Sequence, residues 1–547
     1  MAFRTRSHVH RGVGSGIEFE FGAAALVFAV VTGLVVAGNV LPGRSTPSAG
    51  APPTSPGIPG TGNSSGPLGG LPGGSVPSDP NATSAPGSGS GAGNVTLVPN
   101  GSASGGPGGS SGGTGPTWPT VGTPGALTVA SAVDTVNPSF FQLDLQTPNL
   151  TSAWLPGLLN ETPFTYYSFG DAGETTNQVT ATQYAPNGSA LPPSKANDSN
   201  FVAFCRPLHC HSIMSVPAEI NNLSQDIATV EYVEETLGFH PDYWAIGNEP
   251  QGWTHYNIPW TRWQNTDASN TTPLQYAREV QSIVQAVRGV DPSARFIGIE
   301  SADGGSWNNS QWLDEVGAID GPNLSAVAIH PYPDGTGPTD PTNASFYAGL
   351  SVSNRFPNNY QGLQASLAAA CSCSLPIWVG EYNSALNGTY APFQATYPEA
   401  VYMAAGYAGA LREGIPHVAY FAFQHPPSSL VGTDGNPLPV FTLFSTFFKN
   451  MTLGTVHLAS VATTLGGVFA VVVQNGSRES LFVVNTNTTE ALNLSLPAGV
   501  LGGSPLSWQA WQWAPEFPAP VASRGAASPS GNWVVAPQGI WMLNLAA

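Results

Sequence analysis

The chain has 547 residues, 41% of them hydrophobic, which is enough for two folded domains, yet only 9% are charged and the formal net charge is −18. With 15 Lys and Arg against 33 Asp and Glu, it lacks the cationic footprint that phosphate neutralisation demands, and this excludes a nucleic-acid partner. Sparse charge with abundant Gly, Ser, Thr and Asn suits a protein that works outside the cell.

Residues 1–20 carry Arg4, Arg6 and Arg11 ahead of Phe21–Leu41, which is almost wholly apolar and uncharged. At a helical rise of ~1.5 Å per residue such a run crosses the ~30 Å hydrocarbon core. The positive-inside rule then puts 1–20 in the cytoplasm and the rest of the chain outside, tethered to the cell membrane. A cleaved signal peptide is the alternative, with Val35-Val36-Ala37 as a small-residue cleavage site, and the chain would then be secreted. Residues 42–125 are a Gly/Ser/Pro-rich linker with too little apolar surface to offset the entropy of folding, so disorder is expected. Sequons at Asn63, Asn81, Asn94, Asn100, Asn149, Asn308 and Asn493 are compatible with glycosylation.

From Ala126 to residue 450 short apolar runs alternate with amphipathic stretches. The expected strands are Phe140–Leu145, Phe164–Phe169, His211–Val216, Tyr243–Gly247, Arg295–Glu300, Ala326–His330, Ile377–Gly380 and Val418–Phe423. Helices are expected at Ser224–Leu237, Pro273–Gly289, Gln311–Ile319, Tyr360–Ala370 and Pro398–Glu413. Eight strand–helix units predict an α/β fold, a (β/α)8 TIM barrel. Over residues 451–547 the pattern changes to short, often alternating runs separated by Gly, Asn or Pro. That predicts a C-terminal antiparallel β-sandwich domain, to which Leu127–Val133 adds a strand.

The four cysteines form two close pairs. Cys205 and Cys210 are spaced for a disulfide, whereas Cys371-Ser372-Cys373 is tight for one and points to reduced thiols or other partners. His209 and His211 flank Cys210, but the spacing is not that of a zinc site, so neither metal nor other cofactor is expected.

Two segments carry the chemistry. Tyr243-Trp244-Ala245-Ile246-Gly247-Asn248-Glu249-Pro250 and Leu375-Pro376-Ile377-Trp378-Val379-Gly380-Glu381-Tyr382-Asn383 are apolar strands that each deliver a glutamate at the C-terminal end, where barrel enzymes keep their reacting groups. Apolar neighbours disfavour a charged carboxylate and so suit Glu249 to a general acid. Two carboxylates at one barrel mouth are what glycoside hydrolysis needs. Trp244, Trp253, Trp260, Trp263, Trp307 and Trp312 cluster near that mouth in sequence, and about half are expected to line a glycan cleft rather than the core.

The pair Asn248-Glu249-Pro250 and Gly380-Glu381-Tyr382 resembles glycoside hydrolase clan A, and the barrel followed by a β-domain is most similar to family 79, the β-glucuronidase and heparanase family. The resemblance covers roughly residues 126–547. It implies a retaining hydrolase of O-glycosidic bonds with Glu249 as acid/base, Glu381 as nucleophile and Asn248 as partner of the sugar 2-hydroxyl. In Ile329-His330-Pro331-Tyr332 it implies that His330 and Tyr332 orient the nucleophile, and Trp253 and Gln424 join them as substrate-binding residues. The chain departs from the clan in two places. Tyr166-Tyr167-Ser168-Phe169-Gly170-Asp171 lacks the arginine that many members carry after the second strand, and Phe423-Gln424-His425 lacks a tryptophan after the eighth. A clan A enzyme of another specificity (arabinofuranosidase, xylanase or glucanase) and a non-catalytic carbohydrate-binding surface protein remain the alternatives.

Overall fold

The computed structural model describes residues 118–546 outside the segments 146–154, 170–194, 219–222, 251–271, 302–309, 333–341, 352–355, 385–392, 426–427, 433–434, 497–506 and 526–531 and a few single positions. The apolar run Phe21–Leu41, the linker to residue 117, Trp253, Trp260, Trp263 and Trp307 therefore lie outside the described residues, as do all the named sequons except Asn493. Among the described residues no helix is long and apolar enough to cross a membrane.

The first strand, β1 (Thr123–Thr135), belongs to the C-terminal sheet. It begins three residues inside the segment read as linker, because Thr123, Pro124 and Gly125 pair with Leu492, Asn493 and Leu494. Trp118, earlier still, stacks on Phe517 with ring centroids 4.1 Å apart. A chain starting at Trp118 should therefore melt higher than one starting at Ala126. The shorter chain loses an aromatic pair and several hydrogen bonds, about 2–4 kcal/mol together. Equal melting temperatures for the two purified forms would show that residues 118–125 contribute nothing.

Eight parallel strands then close a barrel in sequence order: β2 (Phe141–Asp144), β3 (Tyr166–Phe169), β4 (His211–Val216), β5 (Tyr243–Ile246), β6 (Phe296–Ser301), β7 (Ala326–Ile329), β8 (Ile377–Tyr382) and β9 (Val418–Tyr420). Each coincides with an expected strand. The intervening helices also fall where the 3.6-residue period put them, at Leu223–Glu231, Pro273–Val290, Ser310–Asp320, Tyr360–Cys371 and Tyr397–Glu413. Thr272 and Gln275 make a capping box at the start of Pro273–Val290, satisfying backbone donors that the first helical turn leaves free.

Alternation along each strand separates two cores. Ile213, Ala245, Ile297, Ala326, Ala328 and Trp378 fill the barrel interior, while Trp244, Ile246, Phe296 and Val327 face the helices. At the N-terminal end Tyr243 packs edge-on against Trp378, and Tyr166 edge-on against His417. Burial pushes His417 down to about 4, so its ring is neutral. The packed floor leaves the C-terminal mouth as the end where side chains can meet a ligand.

Past the barrel come a short hairpin, β10 (Gln424–His425) with β11 (Ser428–Ser429), and then the sheet strands. These are β12 (Thr455–Thr463), β13 (Val468–Asn475), β14 (Arg478–Asn485), β15 (Leu492–Ser495), β16 (Ser507–Trp513), β17 (Val521–Gly525), β18 (Asn532–Val535) and β19 (Gly539–Ala546). With β1 they form one nine-stranded sheet in the order β17-β16-β19-β14-β13-β12-β1-β15-β18, antiparallel except between β1 and β15. The sheet curls until β18 packs on β14 and β19, enclosing Leu127, Leu481, Val483, Leu492, Trp541 and Leu543. The outer face, with Val471, Val473, Phe482 and Met542, joins the core of the barrel's helical shell. Its principal barrel contact is the helix Tyr397–Glu413, buried at every position from Glu399 to Leu411.

Both cysteine pairs are disulfides, Cys205–Cys210 and Cys371–Cys373. The second corrects the expectation of reduced thiols. Ser372 takes a left-handed φ of 51°, and that turn brings the two α-carbons to 5.1 Å, within bridging distance. Asn493, half-buried within β15 with its Oδ1 shielded from solvent, is poorly placed to carry a glycan.

Candidate active site

The strands β5, β6, β7 and β8 bring three glutamates and a histidine together at the mouth. After β5 the chain turns through Gly247 and Glu249, both left-handed at φ 65° and 47°. For a glutamate that conformation costs on the order of 1–3 kcal/mol and persists only where its surroundings enforce it. Here the Glu249 amide donates to the Glu300 carbonyl at 2.9 Å, and the Gly247 amide to Val216 at 2.9 Å. Asn248 between them is buried.

His330, fully buried just beyond β7, is the centre of the cluster. Its Nδ1 lies 3.0 Å from Glu249 Oε1 and 3.5 Å from Glu381 Oε1, and its Nε2 lies 3.0 Å from Glu300 Oε2. Burial by itself lowers the proton affinity of the ring, but Glu381, then the bonds to Glu249 and Glu300, outweigh it and hold His330 well above the usual histidine range. A carboxylate oxygen at each nitrogen and the raised proton affinity together favour an imidazolium that donates from both nitrogens. Two residues on, the Tyr332 hydroxyl donates to Glu381 Oε2 at 2.5 Å. Burial and then the charge of Glu381 push that hydroxyl well above its ordinary value, so it stays a donor. Its ring packs edge-on against Phe421, centroids 5.9 Å apart.

Oxygens of Glu249 and Glu381 and a nitrogen of His330 all lie within 4.8 Å of one another. By residue type these three could ligate a cation, as could Glu234, His240 and Asp291 on the helical side. With both ring nitrogens turned to carboxylates, the first group is arranged for holding and passing protons.

The structure thus assembles four residues singled out from sequence, Glu249, His330, Tyr332 and Glu381, with Asn248 buried beside them. Trp253 lies outside the described residues, and of Gln424 only the backbone, paired in β10, is described. One expectation is corrected. Trp244 and Ile246 face the helices, not Glu249, because strand alternation turns them outward, and Trp244 Nε1 donates to Glu234 at 3.0 Å. Trp312 is also a core residue, within the half of the tryptophans expected to pack. Sequence reasoning gave no role to Glu300 or to Asp144, a buried carboxylate at the end of β2 whose charge reaches Tyr332. Both stand at strand ends, the same signal that exposed Glu249 and Glu381.

No family model matches the sequence, and no curated protein matches it. The fold is similar to that of an α-L-arabinofuranosidase from Thermotoga maritima, at 10% identity over 77% of this chain and 100% of that one, with a TM-score of 0.59. CelM2, a bifunctional glucanase-xylanase from a metagenome library, matches at 13% identity over 78% and 99%, TM-score 0.57. A family 44 xyloglucanase from Paenibacillus polymyxa matches at 12% identity over 78% and 100%, TM-score 0.57. These are likenesses of fold, compatible with the clan A resemblance. They do not carry the finer resemblance to family 79.

Proposed function

We propose that this chain is a retaining glycoside hydrolase that cleaves O-glycosidic bonds by double displacement, with Glu381 as nucleophile and Glu249 as acid/base. One observation carries the reading: one oxygen of Glu249 and one of Glu381 lie within 4.8 Å of each other. Retaining enzymes hold the pair ~5–5.5 Å apart, whereas inverting enzymes need ~6.5–9.5 Å to admit a water. Tyr332 donates to Glu381 and keeps it ionised for attack on the anomeric carbon. Glu249 protonates the departing oxygen and then activates the water that releases the sugar. Asn248 serves the 2-hydroxyl, and Trp253 and Gln424 contribute to the sugar subsite.

The substrate we infer is a neutral glycan. Among the described residues carboxylates dominate the mouth, while Arg206, Arg288, Arg295 and Lys449 hold partners among the helices, their connections or the barrel floor. The neighbouring folds belong to enzymes of arabinofuranosides, xylosides and glucans, and the family 79 likeness adds a β-glucuronide to the set worth testing. We place the enzyme outside the cytoplasm, held by Phe21–Leu41, and the two disulfides favour such an oxidising compartment.

A panel of aryl α-L-arabinofuranosides, β-xylosides, β-glucosides and β-glucuronides, with the first-formed anomer read by NMR, tests this. The expected result is hydrolysis of at least one with net retention. Inversion, or no turnover across the panel, overturns the reading.

A further inference from the structure

The strand β6 breaks its own alternation on the way to the mouth. Phe296 faces the helices and Ile297 the barrel interior. Regular alternation would send Ile299 inward and Glu300 outward. Instead the pairing of β6 with β7 shifts register between Gly298 and Ser301. Ile299 and Glu300 adopt left-handed φ values of 79° and 35°. A β-branched residue rarely takes that conformation. The result is that Ile299 joins the helix-facing core and Glu300 is delivered inward to His330. Bulges of this kind re-aim side chains beside active sites.

The surroundings hold the irregularity in place. The Tyr276 hydroxyl lies 2.7 Å from the Ile299 amide, which donates to it, and itself donates to the Ile246 carbonyl at 2.7 Å. On the other side β8 makes room with Gly380: a Cβ there would come within 2.2 Å of Glu300 Oε2 and 3.0 Å of His330 Nε2.

Resting on the glycosidase reading above, we propose that Glu300 is a positioning residue for the reaction, gripping Nε2–H of His330 so that Nδ1–H is aimed at the two reacting carboxylates. Among the described residues the ionisable groups that face the ring are Glu249 from the end of β5, Glu300 from β6 and Glu381 from β8. On its own element Tyr332 reaches Glu381, and Asp144 from β2 acts on Tyr332. A neutral His330 would donate only one proton and would leave either Glu300 or the reacting pair without it. Glu300 supplies the counter-charge that keeps both nitrogens protonated, in line with the raised proton affinity of the ring. The ring can then hold Glu249 and Glu381 side by side through the steps in which one or both are ionised.

The test pairs Glu300→Gln with Gly380→Ala. The first keeps the shape and removes the charge. The second keeps the charge and displaces the carboxylate. Selectively labelled histidine, with His330 assigned by the signal lost in His330→Gln, gives the ring's titration by NMR without any substrate. In Glu300→Gln the midpoint of His330 should fall by about 1–3 units, the usual effect of losing an adjacent opposite charge. The kcat/KM profile should move acidward on both limbs. Both limbs move because each reacting carboxyl gives up its proton more readily with one fewer negative charge beside His330. Gly380→Ala should lower the His330 midpoint in the same direction. A fall in activity with both limbs fixed, or an unmoved His330 midpoint, overturns the proposal. A wild type inactive on every glycoside overturns the glycosidase reading as well, and is told apart because the NMR titration needs no turnover.

Discussion

Replacing Glu381 by alanine should cut turnover by about 10⁴-fold or more, the scale on which loss of a covalent nucleophile registers. Neither Glu249 nor Tyr332 can take its place. Glu249 is anchored by its own left-handed backbone and by His330, and a tyrosine hydroxyl held well above its ordinary value stays protonated. The deletion leaves a small void lined by the Tyr332 hydroxyl and His330 Nδ1, both donors once aimed at the lost carboxylate. A small anion fits that void by size and charge. Added azide should therefore restore cleavage of an activated aryl glycoside in one displacement. The product should be a glycosyl azide of inverted configuration, read from the anomeric coupling constant. Rescue with retained configuration would mean that the nucleophile and the acid/base have been exchanged.

The barrel was legible because its strands are short, mainly apolar runs of three to six residues, and that pattern survives without any knowledge of neighbours. Glu249 and Glu381 were legible for the same reason, each standing within the first two polar positions after such a run. Glu300 stands there too, at the end of Phe296-Ile297-Gly298-Ile299-Glu300. Its direction could not be read, since alternation from Ile297 points it at the helices. Only the left-handed pair Ile299 and Glu300 reverses that, and a left-handed isoleucine has no sequence signature. Trp244 shows the opposite case. Its neighbour Tyr243 packs with the barrel interior, so alternation alone turns Trp244 toward the helices, whatever its nearness in sequence to Glu249. The strands β17 and β18 are hard to read from sequence because Val-Ala-Ser-Arg-Gly and Asn-Trp-Val-Val are short, and the first carries Ser, Arg and Gly that weaken the strand pattern. The bridge between Cys371 and Cys373 depended on one left-handed serine, again a backbone choice that composition does not record.

Replacing Glu249 by alanine should separate substrates by their leaving groups. A 2,4-dinitrophenyl glycoside departs without a proton, so its glycosylation step should stay near the wild-type rate. A substrate with an alkanol or sugar leaving group should slow by about 10²–10⁴-fold, the usual contribution of a positioned general acid. The second half-reaction also suffers, since no base remains to activate water. The glycosyl-enzyme on Glu381 should then accumulate, with a burst of dinitrophenol and a depressed KM. The alkaline limb of kcat/KM should vanish for the activated substrate, because the group that must stay protonated is gone, while the acid limb that reports Glu381 persists. Azide should again rescue turnover, but now by attacking the glycosyl-enzyme from the face that Glu249 vacated, giving a glycosyl azide of retained configuration. His330 would keep Glu300 and Glu381 as partners in this variant, so the nucleophile should remain ionised and correctly held. Uniform slowing of good and poor leaving groups alike, with no burst, would remove Glu249 from the proton-transfer role and leave it a structural carboxylate beside His330.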